Sequence, residues 1–301
     1  MGKISVVINT LNEEKNLPRA LSSIKKLADE IVVVDAMSTD KTVKVASGHG
    51  AKVHVYKETV TYVEPVRNFA ISKAIYDWVL ILDADEELPR QLTDRLKEIS
   101  NDENSADYFR IPRKNVIFGK WIKHSRWWPD YNIRFFKKGY VTWSEVIHSV
   151  PMTKGEGADL EAGEENAIIH HHYEDLEQYI ERLNRYTTEH AKLMRKEGYE
   201  FHWKDLIIKP INEFLSRYFQ GEGYKDGLHG LALSLLQAFS EVVMYLKVWQ
   251  IEGFNEKNIK IEKVISQMKE AESDLHYWQA DALLNKNGGL KNRIKRKLKL
   301  S

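Results

Sequence analysis

The chain contains no cysteine, which excludes a disulfide framework and thiolate chemistry and suits a reducing compartment. Net charge is nearly absent as well. Its 45 Lys and Arg against 44 Asp and Glu leave +1, which argues against a nucleic-acid partner held by bulk charge. Long apolar runs are scarce. The longest stretch of the C-terminal half without Asp, Glu, Lys or Arg is Gly227 to Ser240, too short and too polar to span a bilayer. Neither Gly-x-Gly-x-x-Gly after the first apolar run nor Gly-x-x-x-x-Gly-Lys occurs, so phosphates would have to be held by side chains and a metal. There is no internal repeat or low-complexity segment. The 301 residues suffice for one domain of about 200–250 residues with an appendage. Met1-Gly2-Lys3 leads directly into a strand pattern, so no signal peptide is expected, and a cytoplasmic location is.

What the sequence does contain is organised around Trp78-Val79-Leu80-Ile81-Leu82-Asp83-Ala84-Asp85-Glu86-Glu87. Five apolar residues read as a strand buried on both faces. The acidic residues then fall outside its carboxyl end, where open α/β sheets bind ligands. Two carboxylates one residue apart can share a hard divalent cation, Mg²⁺ or Mn²⁺, and through it a diphosphate. The same residues would also suit a solvated turn opening the next helix, with Glu86 and Glu87 favoured at its N-terminus.

The first hundred residues alternate short apolar runs with helical patterns, as in a parallel sheet wrapped by helices. Strands are expected at Ile4 to Ile8, Glu30 to Val34, Val53 to Tyr56 and Trp78 to Leu82. Helices are expected over Asn16 to Lys26, over Lys41 to Ala46 behind Asp40, and over Val66 to Ala74. Polar residues follow each strand, and in a parallel sheet these ends lie along one edge. Thr10 and Asn12 offer short polar groups that could read a base edge, Asp35 can accept hydrogen bonds from a base or ribose, and Arg67 can reach an anion.

Thr10-x-Asn12-Glu13-Glu14-x-Asn16, Val32-Val33-Val34-Asp35-x-x-Ser38-x-Asp40-x-Thr42, Arg67-Asn68 and Asp83-Ala84-Asp85, in this order, resemble the family 2 glycosyltransferases of GT-A fold. The resemblance covers residues 3 to about 150 and extends more weakly to about 250. It implies an α/β fold with a mostly parallel central sheet, a nucleotide-sugar donor, usually a UDP sugar, a Mg²⁺ or Mn²⁺ ion, and inversion at the anomeric carbon. Carried over by residue, Thr10, Asn12, Asp35 and Arg67 would hold the uridine, Asp83 the ribose or metal, and Asp85 the metal, with Glu13 a weaker match.

Trp128-Pro129-Asp130-Tyr131-x-x-Arg134-Phe135-Phe136 and Trp143-Ser144-Glu145-x-x-His148 resemble the branch that holds lipopolysaccharide-core β-1,4-glucosyltransferases. Many relatives carry a Glu-Asp pair whose Asp is the base. Pro129-Asp130 stands at about that place, so Asp130 is the first expectation for the base, held by Arg134, and Glu145 the second. Trp121, Trp127, Trp128 and Tyr131 suit either a wall for a glycan acceptor or a packed core. His148 suits either a metal ligand or a packed strand-end histidine. Of His170, His171 and His172, adjacent residues on a strand face opposite ways, which disfavours zinc but leaves one free to face a diphosphate.

Beyond Tyr173 the pattern is helical, and the expected division is 1–172 catalytic, 173–254 helical and 255–301 a helical, basic tail. Leu231, Leu235, Ala238, Val242, Tyr245 and Trp249 form one stripe, suited to a core helix or to one lying on a membrane. Lys286 to Lys299 holds seven Lys or Arg and no acid, interleaved with Leu290, Ile294 and Leu298, a pattern for anionic lipid or for a solvated terminus. The expected partners are a UDP-sugar donor, a glycan or lipid-linked glycan acceptor, and the cytoplasmic face of an anionic membrane, with no nucleic acid. A polyprenyl-phosphate glycosyltransferase and a non-catalytic nucleotide-sugar or glycan-binding protein are the competing readings.

Overall fold

The structure, a computed structural model, describes residues 2–58, 64–143 and 151–299. The chain forms two compact units, Met1–Val116 with Trp128–His172, and Ile117–Trp127 with Tyr173–Ser301.

The first is the sheet unit. It opens β1 (Ile4–Thr10), α1 (Leu17–Ile24), β2 (Glu30–Asp35), α2 (Thr42–Gly48), β3 (Lys52–Val55), α3 (Glu64–Lys73) and β4 (Trp78–Asp83), the strands and helices that the apolar periodicity implies. It continues with β5 (Glu86–Glu87), α4 (Arg90–Asn101), β6 (Tyr108–Ile117), β7 (Lys120–Trp121), β8 (Asp130–Lys137), β9 (Val141–Thr142), β10 (Met152–Thr153), β11 (Gly157–Asp159) and β12 (Ile168–Tyr173), of which β7 belongs to the second unit. The sheet runs β3-β2-β1-β4-β8-β6-β12-β5. Neighbours from β3 to β4 are parallel, and β8 is antiparallel to both β4 and β6.

Val32, Val33, Val34, Val79, Leu80 and Leu82 are fully buried because helices cover both faces. Leu17, Ala20, Leu21 and Ile24 of α1, at helical spacing, pack with Ile4, Val6 and Ile8 of β1. Val66, Ala70 and Ile71 of α3 pack with Val7, Val32 and Val34 on the other face. Trp78 stacks on Phe135 of β8 with ring centroids 4.5 Å apart and 13° between planes, which fixes the first antiparallel strand onto the parallel half. Strand order reverses between β1 and β4, and their carboxyl ends lie side by side, with Asn9 opposite Asp83 and Thr10 opposite Asp35.

Glu86 and Glu87 do not open the next helix. They form β5, with Glu86 opposite His170 and Glu87 opposite Ile169 of β12, and α4 begins only at Arg90. The reason is a buried partner for Glu86, described below.

The helical unit contains α5 (Leu176–Lys196), α6 (Asp205–Leu215), α7 (Leu228–Ile251), α8 (Ile261–Asn287) and α9 (Leu290–Leu298). Asp175 caps α5 by accepting the Gln178 N–H at 2.8 Å. Residues 117–127, which the sequence reading counted with the first domain, pack with these helices. Buried Asp226 accepts the His124 backbone N–H at 2.9 Å, Lys120 Nζ donates to the Asp226 carbonyl at 2.7 Å, and Arg217 Nη1 donates to the Ser125 carbonyl at 3.0 Å.

Helix α7 is long and apolar enough to cross a membrane by length and composition. One side of it is nevertheless core: Leu233, Met244, Tyr245 and Val248 are buried, and Lys247 Nζ donates to Asn184 Oδ1, Thr187 Oγ1 and Thr188 Oγ1 of α5 at 2.7–2.8 Å. The buried stripe is turned from the expected one, for Leu235 is 53% exposed.

Candidate active site

The site is built on the carboxyl edge of the sheet unit. Where β1 and β2 end, their loops are stitched together by side chains. Thr10 Oγ1 donates to Asp35 Oδ1 at 3.1 Å, and Asp35 also accepts the Ser38 backbone N–H and hydroxyl at 2.9 and 2.5 Å. Ser38 Oγ accepts the Asn12 N–H at 2.8 Å, and Asn12 Oδ1 accepts that of Thr39 at 2.8 Å. Asn12 holds a left-handed φ of 58°, tolerable for Asn in a tight turn. Glu13 turns its carboxylate back to Asn16 Nδ2 at 2.9 Å, the geometry of a loop brace. Three of the residues expected to hold a nucleoside, Thr10, Asn12 and Asp35, therefore meet, although they come from two loops.

The second cluster begins at Asp83. Arg67 Nη2 lies 3.5 Å from Asp83 Oδ1 and Arg134 Nη2 lies 2.6 Å from Oδ2. Arg134 also reaches Glu86 Oε1 at 2.7 Å, while Glu86 Oε2 accepts the Asp83 N–H at 2.9 Å. Burial alone would raise the Asp83 pKa, but the Arg134 and Arg67 guanidinium groups hold it far below the usual carboxylate range. Arg67 also lies over the Trp143 ring at 5.7 Å, and Asn68 brackets Trp143 by exchanging hydrogen bonds with its backbone N–H and C=O at 2.9 and 2.6 Å.

Asp130 is not held by Arg134, as the sequence suggested. Residues 130 and 134 lie on one strand, and a rise of about 3.3 Å per residue puts them too far apart. Arg113 stands directly opposite Asp130 on β6 and donates from Nε and Nη2 at 2.9 and 2.7 Å. Asn115 Nδ2 adds a bond to Asp130 Oδ2 at 3.0 Å, and Asn132 Nδ2 one to Oδ1 at 3.0 Å. Burial would raise this carboxyl, but Arg113, Asn115 and Asn132 lower it below 3.8. It is therefore ionised at neutral pH.

Asn115 passes this order on. With its Nδ2 committed to Asp130, its Oδ1 faces His170 Nδ1 at 2.6 Å, so His170 carries its proton there. His170 Nε2 lies 3.1 Å from His172 Nδ1 and 3.6 Å from Asp85 Oδ2. His171 points the other way, to Glu87 Oε1 at 3.5 Å. Of the three consecutive histidines, His170 is thus the one that faces Asp85, and a carboxylate oxygen beside an imidazole nitrogen is a donor set that suits Mg²⁺ or Mn²⁺. Among the described residues no three His, Asp or Glu are grouped closely enough to hold a metal ion by themselves. Glu145 and His148 lie outside the described residues.

The aromatic residues considered for an acceptor wall separate. Trp127 packs in the helical unit's core with Ile122 and Tyr179, and Lys123 lies over the Trp121 ring at 3.9 Å. Tyr131 belongs to the sheet unit, where its hydroxyl donates to the Leu160 carbonyl at 2.8 Å. Missed in the sequence were Glu86, Arg113 and Asn115 as site residues and the acidic partners of Arg134, while the sequence left His170 open among three neighbours. An Arg between Ile133 and Phe135 was the available signal, since a charge inside an apolar strand needs a buried partner.

A doubly wound sheet carrying an Asp-x-Asp turn, a satisfied Thr-Asp pair on the adjacent strands and no glycine phosphate loop defines a GT-A glycosyltransferase. The model of glycosyl transferase family 2 matches residues 5–154. An uncharacterised glycosyltransferase of Rickettsia typhi is 33% identical over 83% of this chain and 88% of its own. The lipopolysaccharide core biosynthesis glycosyltransferase LpsC of Rhizobium meliloti is 25% identical over 82% of this chain and 92% of its own. A solved structure of S. aureus TarS residues 1–349 with UDP is 16% identical, covering 86% of this chain and 94% of that one at a TM-score of 0.45. This chain belongs to glycosyl transferase family 2.

Proposed function

We propose that the protein transfers a sugar, with inversion, from a UDP-sugar to a hydroxyl of a glycan or lipid-linked glycan in cell-surface polysaccharide assembly, on the cytoplasmic face of a membrane. The observation that carries this is the convergence of Thr10, Asn12 and Asp35 with Asp83, Asp85 and His170 along one sheet edge. In this reading Asn12, exposed at its turn, and Asp35 contact the uridine, Asp83 the ribose, and Arg67 the anionic phosphates. Asp85 and His170 would hold a divalent cation, which when bound offsets charge on the departing diphosphate. The likeness to LpsC, a glycosyltransferase of lipopolysaccharide core biosynthesis, supports the acceptor class.

The acceptor hydroxyl gives its proton to a carboxylate as its oxygen attacks the anomeric carbon. Asp130 suits this, because Arg113 and Asn115 hold Oδ2, Asn132 alone donates to Oδ1, and the side chain is 28% exposed. Asp130→Asn should lower kcat by about 10²–10⁴-fold at unchanged UDP-sugar affinity. Arg113→Met should move the acid limb of kcat/KM to higher pH, since it removes the cation that depresses this carboxyl. A normal rate in Asp130→Asn, or an unmoved limb, would pass the role to Glu145 or to an acceptor phosphate.

Thermal shift with UDP-, GDP- and CMP-sugars, each with and without Mn²⁺, tests the donor. A UDP-sugar at a hundred times its Kd should stabilise the fold by about 2.7 kcal/mol. Absence of any UDP-sugar shift, together with absence of UDP release, would remove the reading.

A further inference from the structure

The helical unit leaves an apolar surface that its own core does not use. Leu235 and Phe239 of α7 are 53% and 49% exposed, and Met268 of α8 is 59% exposed. Between α6, α7 and α8 these surfaces frame a pocket of about 450 Å³, within the roughly 300–1,000 Å³ of sites that hold small ligands. Pro210, Phe214, Leu235, Ala238, Met268 and Ala271 line it, and of its ten lining residues only Glu272 is ionisable. Glu272 is solvent-exposed, so the interior offers hydrocarbon alone. Apart from Glu272, no side chain of this lining can hydrogen-bond a sugar or a nucleotide.

Helix α9 supplies the complementary chemistry. Lys299 Nζ pairs with Asp274 Oδ1 at 2.7 Å, and Arg296 Nη1 with Asp281 Oδ1 at 2.8 Å. These two pairs lay α9 along α8 and bring its C-terminal end beside Asp274, the neighbour in sequence of Leu275 in the pocket wall. Lys291, Arg293, Lys295 and Lys297 make no ion pair among the described residues, and Leu290, Ile294 and Leu298 are 72%, 48% and 58% exposed. A helix with cations and bare apolar side chains fits the headgroup boundary of an anionic bilayer. The pocket beside it is walled by the kind of surface that an acyl chain covers.

We infer that the pocket between α6, α7 and α8 takes an acyl chain of an anionic phospholipid whose headgroup meets the cations of α9. This rests on the membrane-facing role proposed above and gives that contact a defined seat. It explains why α7 is apolar beyond the needs of its packed side.

The chain has no cysteine, so Met268→Cys offers a single labelling site in the full-length protein. A bimane there should be quenched by vesicles of phosphatidylcholine and phosphatidylglycerol carrying a doxyl group on one acyl chain, and not by phosphatidylcholine alone. Ala238→Trp, which fills the pocket, and Leu235→Gln at its mouth should each abolish the quenching while UDP affinity stays unchanged. Joint replacement of Lys291, Lys295 and Lys297 by Glu should lower vesicle co-sedimentation at least about tenfold, with the wild-type binding falling as salt rises. Quenching that survives both pocket variants would overturn the inference. So would a dimer in light scattering that shields the bimane, because a second copy would then be the occupant. UDP-sugar binding is measured without vesicles, so absence of quenching in the labelled Met268→Cys protein with its pocket otherwise intact, at normal donor binding, sinks the pocket and leaves the proposed activity standing.

Discussion

Replacing Arg134 by methionine should cost the sheet unit about 3–5 kcal/mol of stability, the usual penalty when one partner of a buried ion pair is removed. Arg134 is 3% exposed, and its Nη2 lies within 2.7 Å of carboxylates from both Asp83 and Glu86. Glu86 is completely buried, and its nearest other cation, Arg113, stands 3.4 Å away. Methionine fills the volume but leaves Glu86 and Asp83 with only the longer contacts to Arg113 and Arg67 at 3.4 and 3.5 Å. Hydrogen-exchange protection of β4 and β8 should fall with the urea midpoint, and a second change, Glu86→Gln, should recover part of the loss because the stranded charge is then gone. The pH dependence has a definite sign. A depressed carboxyl such as Asp83 contributes stability that is fully present above its ordinary value of 3.8 and is lost as pH falls through the folded value. The gap between wild type and variant should therefore narrow in acid. Equal stabilities at neutral pH would show that water already screens the pair.

Asp85→Ala should weaken UDP binding and remove its dependence on Mn²⁺, by more than the roughly 10–100-fold that outer partners of a metal ligand usually contribute. Asp85 is 7% exposed and sits 3.6 Å from a histidine nitrogen whose other side is tied to Asn115. Electron paramagnetic resonance of free Mn²⁺ measures the site without any turnover. His170→Ala should raise the Mn²⁺ dissociation constant, and His171→Ala, which faces Glu87 instead, should not. If Asp85→Ala binds UDP as before and with the same Mn²⁺ dependence, the Asp-x-Asp turn is merely a solvated connection.

The parallel half of the fold was legible because both of its signals are local. Continuous Val and Ile runs mark strands buried on two faces, and Asp40 beside Thr42 marks the start of α2, whose Thr42 N–H it accepts at 2.9 Å. Once strand ends are placed on one edge, Thr10, Asp35 and Asp83 follow without knowing any side-chain contact. The antiparallel half hid its partners because pairing there depends on register between distant segments. Arg113 and Asp130 are opposite each other only through the β6 and β8 alignment, and a bulge between Phe109 and Arg110 shifts that alignment, so spacing could not reveal it. For the same reason His170 could not be chosen from three neighbours. Its selection requires the pairing with Glu86 on β5.

The central position of β4 has a consequence for the order in which this site can come into being. Strands β1 and β2 join through one short crossover, so the end bearing Thr10 and Asp35 needs only nearby chain to assemble. The end bearing Asp83 and Asp85 needs β8, β6 and β12 in place, because the residues that hold it, Arg134, Asn115 and His170, arrive on those strands. Non-local pairings of this sort form slowly, since loop closure must precede the contacts that reward it. A chain leaving the ribosome would therefore hold the end bearing Thr10 and Asp35 before the end bearing Asp83 and Asp85 is complete.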